Sequence, residues 1–497
     1  MSSSANIDEA LVRGVVEEVV RSFLGGPAAP APSGAPAPAP APAPSRAPAI
    51  VPSGRRPGVF ADAAAACAAA QDAQARLAEK GVAARAQVVD IVKTLCDRNA
   101  AEWGRFEFAE TKIGRVDHKI EKLQIVKLVP GVEWLHPDAR SGDHGITLEE
   151  YTPFGVVAAI LPMTHSIPTL AGNVINIVAA GNAVVFNPHP GGARSAALAV
   201  AAFNQAITAA TGIENLVCTV EQPSLDSFAA LCKAPEIRVL CVTGGPAVVA
   251  AAMKSGKRAI CAGPGNPPVL VDGTGSLDKA ARDIIQGAAY DNNLLCIGEK
   301  EIFVLDAVAD AFLAALTRAG ARQLNDAQLA RLTAAAFSTK PDAGGCSHHV
   351  LNRELIGADA AVLARQAGAD VPAGTQLLFA ETAADHAFVV EEQMMPMVPV
   401  VRVRSVEDGV AAAVRAEHGY KHSAMIHSLN VGHMTLMARA VDTTLFVKNG
   451  PCTAGLGLGG EGYLSYSIAT TTGEGITTPR TFTRTRRCVM VDNLRIY

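Results

Sequence analysis

The feature of this 497-residue sequence that most restricts its fold is a regular alternation of short apolar runs with longer amphipathic ones from Gly155 onward. Gly155 to Leu161 reads as a strand, Pro168 to Ala180 as a helix, Ala183 to Asn187 as a strand and Gly192 to Ala209 as a helix. Strands at Asn215 to Val220 and Val239 to Val242 and a helix from Pro246 to Met253 continue the series. Strands joined by helical crossovers pair in parallel and need helices over both faces, so the pattern predicts an α/β fold with a parallel sheet. The length exceeds what one hydrophobic core organises, and a second α/β block is expected from about Gly265 to Gly475. Ala-rich helical patterns, including Val82 to Arg98, fill the region from Gly58 to about Val132. Gly145 to Tyr151 alternates like an exposed strand. Thr481 to Leu494, rich in Thr, Val and Arg, reads as a strand reaching outward toward another subunit.

Ahead of this body stands a different kind of sequence. Ile7, Leu11, Val15, Val19 and Phe23 form one i, i+4 row of an amphipathic helix, with Arg13, Glu17 and Arg21 opposite, and Gly25-Gly26 stops it. Pro27 to Pro48 alternates Ala and Pro, a semi-rigid polyproline II spacer reaching roughly 60–70 Å at about 3.1 Å per residue. A helix on such a tether either folds back and frays or orders on binding another protein.

Composition removes several function classes. Hydrophobic residues make up 49% and charged residues 18%, as in a large enzyme with much buried surface, and a formal charge of −4 without a basic stripe gives no nucleic-acid footprint. No apolar run is long enough to span a bilayer. Asp8, Glu9, Glu17 and Glu18 interrupt any signal-peptide core, so no secretory signal is expected. The 10 cysteines are scattered without a C-x-x-C pair, which predicts a reducing, cytoplasmic compartment rather than a disulfide scaffold.

One of these cysteines merits separate argument. In Asp291-Asn292-Asn293-Leu294-Leu295-Cys296-Ile297-Gly298-Glu299-Lys300, Cys296 is placed at a turn ahead of a strand, Glu301 to Leu305. A thiol so placed can be an exposed nucleophile or a buried structural residue. Strand Val239 to Val242 runs into Thr243-Gly244-Gly245 and a helix, where glycines let helix N–H groups approach a pyrophosphate.

Together with Leu161-Pro162-Met163-Thr164, Asn187-Pro188-His189-Pro190, Gly263-Pro264-Gly265-Asn266-Pro267-Pro268, Glu392-Gln393-Met394-Met395-Pro396 and the Gly455 to Gly462 run, in this order, these segments resemble the aldehyde dehydrogenase superfamily. Within it, they resemble the CoA-acylating enzymes of bacterial microcompartments. The resemblance runs from about residue 60 to Tyr497. It implies a Rossmann-type NAD-binding domain (58–139 and 155–262), an α/β catalytic domain (263–477) and a small β oligomerisation arm (140–154 and 478–497). Residues 1–24 become a targeting helix and 25–57 a linker.

On this resemblance Cys296 is the nucleophile, and the oxyanion donor falls on Thr164, with neighbouring His165 as the competing donor. Pro162, Asn187, His189, Pro190, Thr243, Gly244, Gly245, Gly263 and Glu392 line the cofactor site, Glu392 holding the nicotinamide ribose. The neutral Asn187 favours NAD over NADP. Hydrolytic members place a glutamate base where this chain has Ala262, and alanine cannot take a proton. The resemblance therefore implies transfer of the acyl group to coenzyme A. The alternatives are a hydrolytic enzyme using another carboxylate, such as Glu299, and a scaffold protein that has lost activity. The expected partners are a short aldehyde, shell proteins bound through residues 7–24, and copies of the chain in a dimer or tetramer within a microcompartment lumen. Cys346-Ser347-His348-His349 lacks metal-ligand spacing, so no metal is expected. His418, His422 and His427 read as structural, and Gly455 to Gly462 as a flexible pocket wall.

Overall fold

The computed structural model describes residues 56–341 and 347–492. The N-terminal helix, its Ala/Pro spacer and Cys346 lie outside them. Two parallel sheets dominate. The first has six strands in the order Val59–Phe60, Val217–Val220, Ala183–Pro188, Val156–Leu161, Ile237–Thr243, Arg258–Ala262. The chain winds outward from Val156–Leu161 and then returns to lay Ile237–Thr243 on its other side. The winding direction therefore reverses between these two strands, at the carboxyl ends Leu161 and Thr243, where doubly wound sheets open a crevice for ligands.

Coverage on both faces explains the sequence of the inner elements. Every residue of Val156–Leu161 and of the helix Ser166–Ala179 is buried, so neither alternates. The helix Ala193–Thr211 stops at Gly212, whose φ of 72° supplies the left-handed cap. Arg258–Ala262, a short edge strand with an exposed, charged first residue, carries no pattern that the sequence reading picks out as a strand.

The second sheet has seven strands in the order Arg322–Gln323, Leu378–Glu381, Met397–Val403, Glu301–Leu305, Pro268–Val271, Ser423–His427, Leu445–Lys448. Its first strand in chain order begins just after the first sheet ends, across Gly263 to Pro267. After Leu456 the chain crosses back. The Tyr466 hydroxyl donates to the Lys122 carbonyl at 2.8 Å, the Leu464 N–H to the Leu128 carbonyl, and Ser467 Oγ to Asn173 Oδ1 at 3.0 Å. Residues 464–477 thus pack against the first sheet, and the glycine run at 457–462 is the return connection.

A third, antiparallel sheet stands apart: Asp138–Gly142, Gly145–Pro153 and Thr483–Val491, with Gly145–Pro153 central. The last strand, expected to reach toward another subunit, pairs along its length with this chain's own Gly145–Pro153. Among the described residues no strand pairs with its other edge, and its Val489 and Val491 are 55% and 69% exposed.

Candidate active site

Loops leaving the carboxyl ends of the first sheet meet loops entering the amino ends of the second. From the first come Pro162 to His165, His189-Pro190, Thr243 to Gly245 and Gly263; from the second, Gly265, Cys296, Glu392 and His422. Gly265 shows how closely the loops of the second sheet pack. A Cβ there would lie 2.6 Å from the Cys296 carbonyl oxygen and 2.8 Å from His422 Cγ, so no side chain fits.

Cys296 stays partly accessible, while most of the other cysteines are buried. Burial pushes its thiol up to about 12, and the charge of Glu392 adds to this; Lys300 and the backbone N–H groups of Cys296 and Ile297 oppose it. Glu392 is pushed up to about 7 by burial, against the pull of Lys300 and of the Gly265 N–H. Lys300 is fully buried and donates to the Asn293 carbonyl at 2.7 Å. Glu299 is turned elsewhere. Its Oε1 accepts from the Cys452 N–H at 2.8 Å, its carboxyl packs against Gly287, and burial pushes it up to about 7. The carboxyl that acts on the Cys296 thiol is Glu392.

The two donor candidates differ in setting. Thr164 is partly accessible and its carbonyl accepts from Lys119 Nζ at 3.3 Å. His165 is buried, with Nδ1 2.9 Å from Lys122 Nζ. Burial and the two lysines hold its pKa well below the ordinary value. With Nδ1 taken up by Lys122, the buried His165 is the less accessible of the two donor candidates.

Of the proposed cofactor residues, Thr243, Gly244 and Gly245 cap the helix Pro246–Met253 at the sheet's switch point, and a Cβ on either glycine would meet nothing. This open cradle at a helix N-terminus fits a pyrophosphate. Thr243 Oγ1 is 2.9 Å from Ser467 Oγ. Gly263 faces Thr471, and a Cβ there would lie 2.6 Å from its Oγ1. Pro162 follows the strand Val156–Leu161 and is partly accessible. Pro190 is exposed, and His189 Nδ1 accepts from the Gly191 N–H at 3.0 Å. Asn187 accepts from Ser227 Oγ at 2.6 Å and donates to the Ser224 carbonyl, so it is tied to the start of the helix Leu225–Lys233.

The sequence reading missed the charged cluster behind the pocket: Glu107, Lys119, Lys122 and Asp291, all fully buried. Lys119 and Lys122 fall in a helix whose polar sequence reads as solvated; only the consecutive turn formers Asp291-Asn292-Asn293 hint at special backbone. His422 was read as structural. It is buried with Nδ1 2.8 Å from Ser423 Oγ and Nε2 unpartnered, against Gly265. His418 Nε2 is 2.7 Å from the Val390 carbonyl, and His427 is buried beside Asp283. Among the described residues no group of three His, Cys, Asp or Glu is placed to hold a metal.

Comparison with known proteins places this geometry. A sequence model of the aldehyde dehydrogenase family matches residues 56–462. The acetylating acetaldehyde dehydrogenase EutE of Salmonella typhimurium is 46% identical over 441 residues, covering 88% of this chain and 93% of that protein. The CoA-propanoylating propanal dehydrogenase of Citrobacter freundii is 39% identical, covering 88% and 94%. Among solved structures, Rhodopseudomonas palustris propionaldehyde dehydrogenase, with bound CoA and an acylated cysteine, is 42% identical with a TM-score of 0.84, covering 88% of this chain and 99% of that one. The propionaldehyde dehydrogenase of the Clostridium phytofermentans fucose utilisation bacterial microcompartment is 42% identical, TM-score 0.85, covering 89% and 100%.

Proposed function

The chain belongs to the aldehyde dehydrogenase family, and we propose that it oxidises a short-chain aldehyde with NAD and hands the acyl group from Cys296 to coenzyme A. The observation that carries the residue assignment is the partly accessible Cys296, held at the junction of the two sheets; Ala262, not a carboxylate, falls where the family resemblance puts the hydrolytic base. The Cys296 sulfur adds to the aldehyde carbon, and the oxyanion that forms is met by the Cys296 N–H and the Thr164 hydroxyl. Glu392 and the Thr243-Gly244-Gly245 turn hold the dinucleotide. When bound, NAD accepts the hydride, and the CoA thiol takes the acyl group and displaces the Cys296 sulfur, which leaves with the proton CoA gives up. With no carboxylate at 262, Glu299 bonded to the Cys452 N–H and Glu392 committed to the nicotinamide ribose, water is poorly activated, so the thioester persists until that second thiol arrives.

Incubation with acetaldehyde or propionaldehyde and NAD, with and without CoA, tests this. The expected result is a single burst of NADH without CoA and sustained turnover with it. Sustained NADH production without CoA, or turnover by Cys296→Ala, refutes it.

The finer partners follow from the sequence outside the described residues and from the arm. Ile7 to Leu24 serves as a docking peptide for a microcompartment shell, and the outer edge of Thr483–Val491 joins copies into a dimer or tetramer. Deletion of residues 1–50 is expected to leave turnover intact and abolish co-sedimentation with shell protein; co-sedimentation that survives the deletion counts against the docking role. No helix among the described residues is long and apolar enough to cross a membrane.

A further inference from the structure

The short helix Val116–Gln124 carries Lys119 and Lys122, both buried, although lysine almost never leaves water unpaired. Lys119 Nζ lies 3.0 Å from Glu107 Oε1 and donates to the Thr164 carbonyl at 3.3 Å. The second Glu107 oxygen accepts from the Ile167 N–H at 2.9 Å, so the loop after Leu161 is gripped twice. Lys122 Nζ meets the carboxylate of Asp291 and the ring of His165. Asp291 in turn accepts from the Arg115 N–H at 2.7 Å, and its own N–H donates to His118 Nδ1 at 2.8 Å.

What this grip holds is unusual backbone. Asp291, Asn292 and Asn293 have φ of 49°, 56° and 65°, three successive side-chain-bearing residues in the left-handed region. Such a run persists only where its surroundings over-determine it. Asn292 and Asn293 contribute by donating to the Gly357 carbonyl at 2.9 Å and the Ala288 carbonyl at 2.8 Å. Cys296 follows three residues later. One nine-residue helix therefore touches the backbone on both sides of the pocket, at Thr164 and at the turn that delivers the thiol.

We propose that Lys119 and Lys122 are positioning residues, which set the separation between the Thr164 loop and the Cys296 loop and so the geometry in which the thiol meets its substrate. This rests on Cys296 being the nucleophile. Neither lysine touches the reacting atoms; each acts through a carbonyl or carboxylate that does not itself react.

The test is Lys122→Met, with the full chain, reading single-turnover NADH formation at saturating aldehyde and, separately, alkylation of Cys296 by iodoacetamide, which needs no oxyanion donor. Misplacement of a reacting group is costly, so the single-turnover rate is expected to fall about 30-fold or more, with aldehyde KM and the alkylation rate each within about threefold of wild type. Where Lys122→Met does not fold, His118→Ala, at a partly accessible site, gives the same split with a loss of about fivefold. A folded variant whose single-turnover rate stays within about twofold of wild type overturns the proposal, as does a loss shared equally by alkylation. Turnover by Cys296→Ala is the separate result that removes the nucleophile assignment beneath it.

Discussion

At the scale of single residues, the site is built from groups that burial has shifted and from one position where a side chain cannot exist. Gly265→Ala puts a Cβ within 2.6 Å of the Cys296 carbonyl oxygen. The Cys296 loop must then move, and with Cys296 as the proposed nucleophile kcat is expected to fall by about 100-fold while the thermal midpoint changes little; near-normal kcat would show that the pocket tolerates the shift. Glu299 gives a pH prediction. Burial pushes it up to about 7 and leaves its Oε2 unpartnered. The folded state therefore holds this proton more tightly than the unfolded chain. Its contribution to stability is full below the ordinary carboxylate range and is lost as pH rises through about 7. Glu299→Gln keeps an acceptor for the Cys452 N–H and removes the titration. Relative to wild type, the variant is expected to gain on the order of 2–3 kcal/mol in unfolding free energy between about pH 5 and pH 8. Urea unfolding of both proteins across that range checks it, and parallel profiles would exclude the effect.

At the scale of elements, the two α/β windings were legible because each strand and helix in them obeys its own period. The boundaries of Pro246–Met253 and Glu301–Leu305 coincide with the sequence reading, and Val156–Leu161 departs from it by one residue. What was not legible depends on contacts between distant segments. Arg258–Ala262 is a strand only because Ile237–Thr243 offers it an edge. Lys119 and Lys122 are buried only because Glu107 and Asp291 meet them, and no local pattern records that. The cysteine and the glycine turns stood out in the sequence; the reason Cys296 is well placed did not. The helical run Ala63–Arg98 shows a smaller case. It was read only in part, and it breaks at Gly81, with φ of 72°, where an added Cβ would meet nothing. Only backbone preference opposes a side chain there, so Gly81→Ala is expected to cost about 1–2 kcal/mol in chemical unfolding with turnover unchanged. A stabilised variant would mean that the helix prefers to run straight.

At the scale of the molecule, the exposed outer edge of the three-stranded arm is the surface most suited to joining copies, since unpaired strand edges recruit further strands. Val489→Asp with Val491→Asp places charge on two of its exposed apolar residues. The expected outcome is a shift to a smaller species in light scattering after gel filtration; an unchanged mass would place the subunit contact elsewhere. The two sheets themselves are connected by chain at only two places among the described residues, the five residues Gly263 to Pro267 and the glycine-rich Gly457 to Tyr463. Two pivots permit rotation about the line that joins them and little else. The Lys122–Asp291 pair lies off both pivots, and a third fixed point turns a hinge into a rigid plate. The Arg115 N–H and His118 Nδ1 bond the same Asp291, so the tie across the cleft is made by three residues of one segment and not by a lysine alone.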